Sequence, residues 1–444
     1  MSSALLPAFS SSAAADADRR DEPLRRSDAA VPHRPGTQHR ETVRVELARY
    51  AERISLFAIV RSHGSPLLVL DPTRIHEQIR LLRQELPAAE IHFATPALPH
   101  PAAIGAVAAA GAGFEVASRG EIALLARQGV DVGRCLHSHP IRSRTDIVDA
   151  YLAGVRHFVV DNHRELVKLA VLPRDIDVLV RLSYPNPDAG CDLSAKFGST
   201  PAQACELVRQ AVALGVAVAG FSFHVGSQTT SSEPFEWAIT RTSALMDELE
   251  RELGIRFRVL DIGGGFPIGY DEPVPSLAVI ASGIRAAIRA SGRRDRLLLE
   301  PGRFIAATAM TLVSRVVGSS DRVDGRWHYL DDGLYGSYSN VLTEQVHPLV
   351  FAASELTGGE PARRETVTLA GPTCDSVDVI ARSCELPALT EGDLVVSPMM
   401  GAYTSVTASG FNGIDPTPIH VLRSATPASP ATPREAGRSG LFRR

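Results

Sequence analysis

Lysine is almost missing from this chain of 444 residues. Lys168 and Lys196 stand against forty-four arginines, so any chemistry that needs a side-chain amine has two candidates. Cysteine is also scarce. Cys135, Cys191, Cys205, Cys374 and Cys384 lie far apart without the paired spacing of a metal site, and an odd, dispersed set reads as reduced thiols in a cytoplasmic protein. No apolar run approaches the ~18 residues of a membrane helix, so no membrane partner is expected. A formal charge of −4 offers no basic surface to attract nucleic acid or anionic lipid. Residues 1–45 lack the apolar core of a signal peptide and carry too many acids for a transit peptide. Rich in Ala, Ser, Arg, Asp and Pro, they read as a disordered tail, as do residues 423–444.

Apolar residues are plentiful, at 44%, enough for a sizeable core. Short strand-like runs fall at 91–95, 114–118, 135–140, 157–161, 178–183, 220–227, 258–262 and 297–300. Helical patterns separate them at 101–110, 119–128, 143–153, 164–171, 201–214 and 234–253. Eight strands alternating with helices predict a parallel sheet closed into a (β/α)8 barrel over 71–307. From 308 to 422 the pattern changes to strands and turns, with runs at 311–318, 326–330, 365–370 and 393–398. That stretch predicts an antiparallel β domain. Residues 46–70 form a lead-in to it, with the apolar run 54–60 as a candidate strand.

The densest signal lies near the last two barrel strands. Arg-Val-Leu-Asp-Ile-Gly-Gly-Gly (258–265) is an apolar run ending in Gly263, Gly264 and Gly265, bare backbone that a ligand can approach closely. The next strand ends in Glu300-Pro301-Gly302-Arg303. In a barrel of this kind the loops after strands seven and eight commonly hold a phosphate. Other strand ends contribute Ser118, His139, Asp161, Arg181 and His224. His224 could stack on a flat cofactor and Ser227 could bind its phosphate; taken alone, His224 could equally be a satisfied polar residue at a strand end.

Several ordered motifs resemble those of one family. They are Gly-Ala-Gly-Phe-Glu-Val-Ala-Ser (111–118), Leu-Ser-Ala-Lys-Phe-Gly (193–198), His-Val-Gly-Ser-Gln (224–228), Asp-Ile-Gly-Gly-Gly-Phe-Pro (261–267) and Glu-Pro-Gly-Arg (300–303). Asp-Gly-Leu-Tyr-Gly-Ser (332–337), Gly-Pro-Thr-Cys-Asp (371–375) and Gly-Ala-Tyr (401–403) follow. The chain resembles the fold-type III pyridoxal-phosphate decarboxylases, the ornithine, lysine, arginine and diaminopimelate group, and most of all the ornithine/lysine branch. The resemblance implies an alanine-racemase-like barrel and a head-to-tail homodimer with shared sites. It implies that His224 stacks on the pyridine ring and that Glu300 faces the ring nitrogen. Ser227, the glycines 263–265, Arg303 and Tyr403 would surround the phosphate, with Arg181 nearby. Cys374, from the partner subunit, would protonate the carbanion, and Asp375 would meet the distal amine of a basic amino acid. Lys196 would pair with Asp378 across the interface.

Two departures stand out. The family's Schiff-base lysine ends the first barrel strand, and counting back without a gap from Phe114 puts Pro96 at that place. Proline has no amine, so pyridoxal phosphate is expected to bind without a covalent link. Where the ornithine branch has an aspartate after its Tyr-Gly-Ser loop, this chain has Thr343, Glu344 and Gln345. Glu344 keeps the charge on a longer arm, as a substrate-binding candidate. Three readings stay open: a decarboxylase working without the lysine, a non-catalytic homologue that regulates or pairs with an active enzyme, and a binding protein for the cofactor or its adduct.

Overall fold

The computed structural model describes residues 36–358 and 363–423. Eight parallel strands close into a barrel: β2 (Ala89–Ala94), β3 (Gly113–Val116), β4 (Leu136–His137), β5 (His157–Val160), β6 (Asp177–Leu182), β7 (Ala217–Phe223), β8 (Val259–Asp261) and β9 (Arg296–Leu299), with β9 pairing back to β2. Helices follow the strands on the outside, including α4 (Pro101–Ala109), α5 (Arg119–Arg127), α6 (Arg144–Ala153), α7 (His163–Leu169) and α8 (Pro201–Leu214). Their starts are written locally. Ser118, Ser143 and Asn162 each accept a hydrogen bond from a backbone N–H in the first turn, and Thr200 with Gln203 makes a reciprocal capping pair before Pro201. Each such cap contributes about 1 kcal/mol. Ser118, read as a site candidate, is used as a cap. Asp161 is likewise occupied, accepting from the Gly198 N–H at 2.9 Å.

The second domain is a mostly antiparallel sheet built on the long β10 (Met310–Arg322), with β11 (Gly325–Leu330), β12 (Phe351–Ala352), β13 (Arg364–Ala370), β14 (Val379–Pro387) and β15 (Leu394–Ser397). The strand that joins it from before the barrel is β1 (Leu67–Leu70), which pairs antiparallel with β10 and parallel with β16 (Ile419–Val421). The run 54–60 is no strand. It lies largely in helix α2 (Leu56–His63), whose Leu56 and Val60 are buried against the sheet. A seven-residue run with six apolar residues suits a strand or a helix equally, and Gly64 ends this one as a helix.

Residues 37–45, read with the N-terminal tail, form the first turns of α1 (Thr37–Arg53). Arg40 donates to the Val350 carbonyl at 2.9 Å and pairs with Glu355, while Arg44 donates to the Glu355 carbonyl at 2.8 Å. Charges that suggested solvation are thus the means of docking. The rest of the tail, 1–35, and residues 424–444 lie outside the described residues. Among the described residues no helix is long and apolar enough to cross a membrane.

Candidate functional site

The glycines after β8 are packed against two neighbouring strand ends. A Cβ on Gly264 would stand 2.7 Å from the Glu300 carbonyl oxygen, and one on Gly265, whose φ is +96°, would stand 2.5 Å from the Gly226 carbonyl oxygen. Both contacts are closer than a side chain permits, so this is a bare backbone cradle. Gln228 fastens it to the loop after β7, accepting from the Ile268 N–H and donating to the Ile268 carbonyl, both at 2.8 Å. Gln228 holds φ at +56°, a left-handed conformation that costs a non-glycine residue of order 1 kcal/mol.

Arg303, 4% exposed, opens the short helix after β9 with its guanidinium held on three sides. Nε donates to Ser227 Oγ at 3.3 Å, Nη1 to Tyr270 Oη at 3.2 Å, and Nη2 pairs with a Glu344 carboxylate oxygen at 2.5 Å. Tyr403, at φ +53°, lays its ring 5.3 Å from the guanidinium carbon and donates its N–H to the Ala97 carbonyl at 3.1 Å. Its hydroxyl sits 3.0 Å from where a Gly302 Cβ would lie. Ser227, Arg303, Tyr403 and the glycines therefore lie close together. Glu344, read as a substrate-binding candidate, lies against Arg303. It occupies the arginine, because that guanidinium is a cation its longer arm can reach.

Inside the barrel mouth three carboxyls face one guanidinium. Burial pushes the Glu300 carboxyl up to about 7, with Arg181 and then contact with Asp261 opposing the rise. Burial first and the nearby Glu300 second hold both Glu115 and Asp261 well above the usual carboxylate range, and Arg181 acts against the rise in each. Glu300 Oε1 and Asp261 Oδ2 are buried with no N–H or hydroxyl donor beside them, and the two carboxyls lie in contact with each other. Ser138 donates a short hydrogen bond to Glu115. His224 accepts from the Gly226 N–H through Nδ1 at 3.0 Å, and its Nε2 lies 3.2 Å from the Cβ position of Gly264. Burial and then Arg181 hold its pKa down to about 3. A neutral flat ring thus lies along the glycine cradle.

Pro96 follows the first barrel strand, in the 3-10 turn Thr95–Ala97. Lys168 is committed elsewhere, paired with Glu165 and bonded to the Arg142 carbonyl. Lys196 lies 5.0 Å from the Phe197 ring, against which His139 also packs. Cys374 and Asp375 belong to the β domain. The Cys374 N–H donates to Asn412 at 3.0 Å, and Asp375 accepts from the Tyr335 hydroxyl, which lowers its pKa. No hydrogen bond described joins either residue to the barrel mouth of its own chain. Asp378 is buried, accepting from Leu334 N–H at 2.7 Å, Thr373 N–H at 3.0 Å and the Thr373 hydroxyl at 2.7 Å. These bonds tie its carboxylate into its own domain. Gln228, Glu115 and Asp261 lie inside quoted motifs but were not singled out, and Tyr270 carries no signal at all.

A parallel barrel with an arginine and bare amides at its last two strand ends, and a buried carboxyl beside them, defines a barrel protein for a phosphorylated, ring-bearing cofactor. Residues 73–307 match the family model described as the pyridoxal binding domain of pyridoxal-dependent decarboxylases. The chain is 34% identical over 351 residues to lysine/ornithine decarboxylase of Selenomonas ruminantium, covering 79% of this chain and 87% of that one. It is 32% identical over 380 residues to ornithine decarboxylase of Caenorhabditis elegans, covering 82% and 89%. The solved lysine/ornithine decarboxylase of Vibrio vulnificus, complexed with cadaverine, superposes with a TM-score of 0.78 at 39% identity, over 84% of this chain and 97% of that one. The chain belongs to the pyridoxal-dependent decarboxylases, lyases of fold type III whose cofactor is pyridoxal phosphate.

Proposed function

We propose that this chain is a decarboxylase-like protein for a basic amino acid that holds pyridoxal phosphate without a covalent link. The observation that carries this is the guanidinium of Arg303, fixed by Ser227 and Tyr270 beside the glycine cradle and next to a carboxyl whose buried oxygen has no N–H or hydroxyl donor beside it. These residues fit the phosphate and the ring nitrogen. They leave the place of an anchoring amine to Pro96.

When bound, pyridoxal phosphate supplies an electron-withdrawing ring that stabilises charge left on Cα. The chain's residues do the rest. Arg303, Ser227, Tyr403 and the amides of Gly264 and Gly265 would bind the phosphate, since charge-assisted bonds to an arginine and backbone N–H groups hold a dianion well, while the Gly263 N–H is given to Asp261 at 2.9 Å. Arg181 lies nearby and tempers the carboxyls. Glu300 would keep a proton on the ring nitrogen, and neutral His224 would lie against the ring. Cys374 and Asp375 act in the neighbouring subunit of a two-fold dimer, the thiol returning a proton to Cα and the carboxylate meeting the distal ammonium. Their separation from the barrel mouth of their own chain supports that placement. Dissociation would be faster than from a covalent site.

The test is absorbance of the purified protein with added cofactor, then borohydride and intact mass. Binding without any mass retained on the chain is expected. Cofactor reduced onto Lys196 or Lys168 would overturn the non-covalent reading. The pair between Arg303 and Glu344 favours a second reading, a non-catalytic subunit that regulates or pairs with an active decarboxylase, because a carboxylate already lies on the anion-binding group. An absence of binding at millimolar cofactor would select it.

A further inference from the structure

Tyr270 reaches the phosphate site from a loop that the N-terminal helix holds down. It is buried, and its phenolic oxygen accepts from Arg303 Nη1 at 3.2 Å. The carbonyl of the same residue lies 3.1 Å from His39 Nε2, in the first turn of α1. A carbonyl can only accept, so that nitrogen carries a proton and donates it. Gly269, one residue earlier, packs against the same ring: a Cβ there would stand 3.3 Å from His39 Cε1 and 3.0 Å from the Glu272 carbonyl oxygen. Ile268 is fixed in turn by its two backbone bonds to Gln228. Three consecutive loop residues are thus gripped, the last two by a helix from outside the barrel.

Helix α1 has its own anchor. Beside His39, the Arg40 guanidinium donates to the Val350 carbonyl at 2.9 Å, pairs with Glu355 and lies 4.2 Å from the centre of the Phe351 ring. Those partners belong to the β domain, so His39 is held by one domain while it bonds the other. The helix lies outside residues 73–307, the stretch that matches the family model.

We propose that His39 is a positioning residue of the phosphate site and acts through Tyr270, its hydrogen bond setting the backbone from which the phenol meets the Arg303 guanidinium. This rests on the cofactor reading above and deepens it. An arginine loses much rotamer freedom when it is fixed in one pose. A donor already aimed before the ligand arrives therefore binds it more tightly than one the ligand must order. Ser227 and Tyr270 supply that aim. A guanidinium released by the phenol is left to Ser227 and to Glu344, whose carboxylate competes with a phosphate.

The test is the dissociation constant of pyridoxal phosphate for the full-length protein and its variants, by fluorescence titration, with the melting temperature measured alongside. Tyr270→Phe should weaken binding about tenfold and His39→Ala about fivefold, the size of one hydrogen bond. His39→Gln keeps a donor on an arm of similar reach and should come within about twofold of the wild type. Adding His39→Ala to Tyr270→Phe should weaken binding by less than about twofold more, because the two residues act on one path. Arg44→Ala loosens α1 elsewhere, at the Glu355 carbonyl, and should lower the melting temperature with affinity unchanged. Unchanged affinity in His39→Ala, or an equal loss in Arg44→Ala, would overturn the inference and leave the cofactor reading standing. No binding by the wild-type chain would overturn both.

Discussion

Arg303 has two claimants, and their competition sets what a single substitution does. Glu344 is raised above the usual carboxylate range by burial first, with Arg303 pulling it back. A phosphate arriving at the cradle must displace or share that carboxylate. Glu344→Gln is therefore expected to tighten phosphate-ligand binding by roughly three- to tenfold, read by titration of ligand fluorescence. Arg303→Ala removes the charge-assisted bonds altogether, and at about 1.5–3 kcal/mol for each such bond the affinity should fall about a hundredfold. Glu300 gives a pH signature. A carboxyl held up to about 7 is protonated below that pH and ionised above it. The infrared carboxylic-acid absorption of the unliganded wild type, less that of Glu300→Gln, should fade as pH rises through 7. His224, held down to about 3 by burial, should show no imidazole titration by NMR between pH 5 and 9.

At the scale of elements, the glycine cradle is the least forgiving piece. Gly264→Ala drives a methyl against the Glu300 carbonyl oxygen, a backbone atom with no freedom to turn aside. Loss of phosphate-ligand binding with a lowered melting temperature is the expected outcome, a strain of about 1–3 kcal/mol. The barrel was legible because period and punctuation agree: apolar strands end in Gly, Ser, Asn or Thr, and helices open with caps. The β domain was less so. Strand β14 mixes Arg382, Ser383, Cys384 and Glu385 into an apolar frame, with Ser383 at φ +58° breaking the alternation, and β12 and β16 are too short to carry a period. Helix α1 was hidden because its docking uses arginines. In the site, residues that end strands could be read from position alone. Tyr270 and the grip of Glu344 on Arg303 could not, since both depend on how loops fold back over the barrel mouth.

For the molecule as a whole, the β domain presents an exposed Cys374 with half-buried Asp375 and Tyr335 beside it, and no described hydrogen bond ties them to their own barrel. Sedimentation with ligand present should give a dimer, and mixing Arg303→Ala chains with Cys374→Ala chains should rebuild some intact sites if the two residues serve opposite subunits. The two domains are also threaded unequally. Strand β1 leads into the barrel, yet its partners, β10 and β16, lie beyond the barrel's last strand. On the ribosome, where chains emerge in order, the apolar Leu67–Leu70 must therefore wait unpaired while the whole barrel is made. A nascent chain halted at Ala309 should carry a closed barrel beside a bare, sticky strand, and such an intermediate is a natural client for a chaperone.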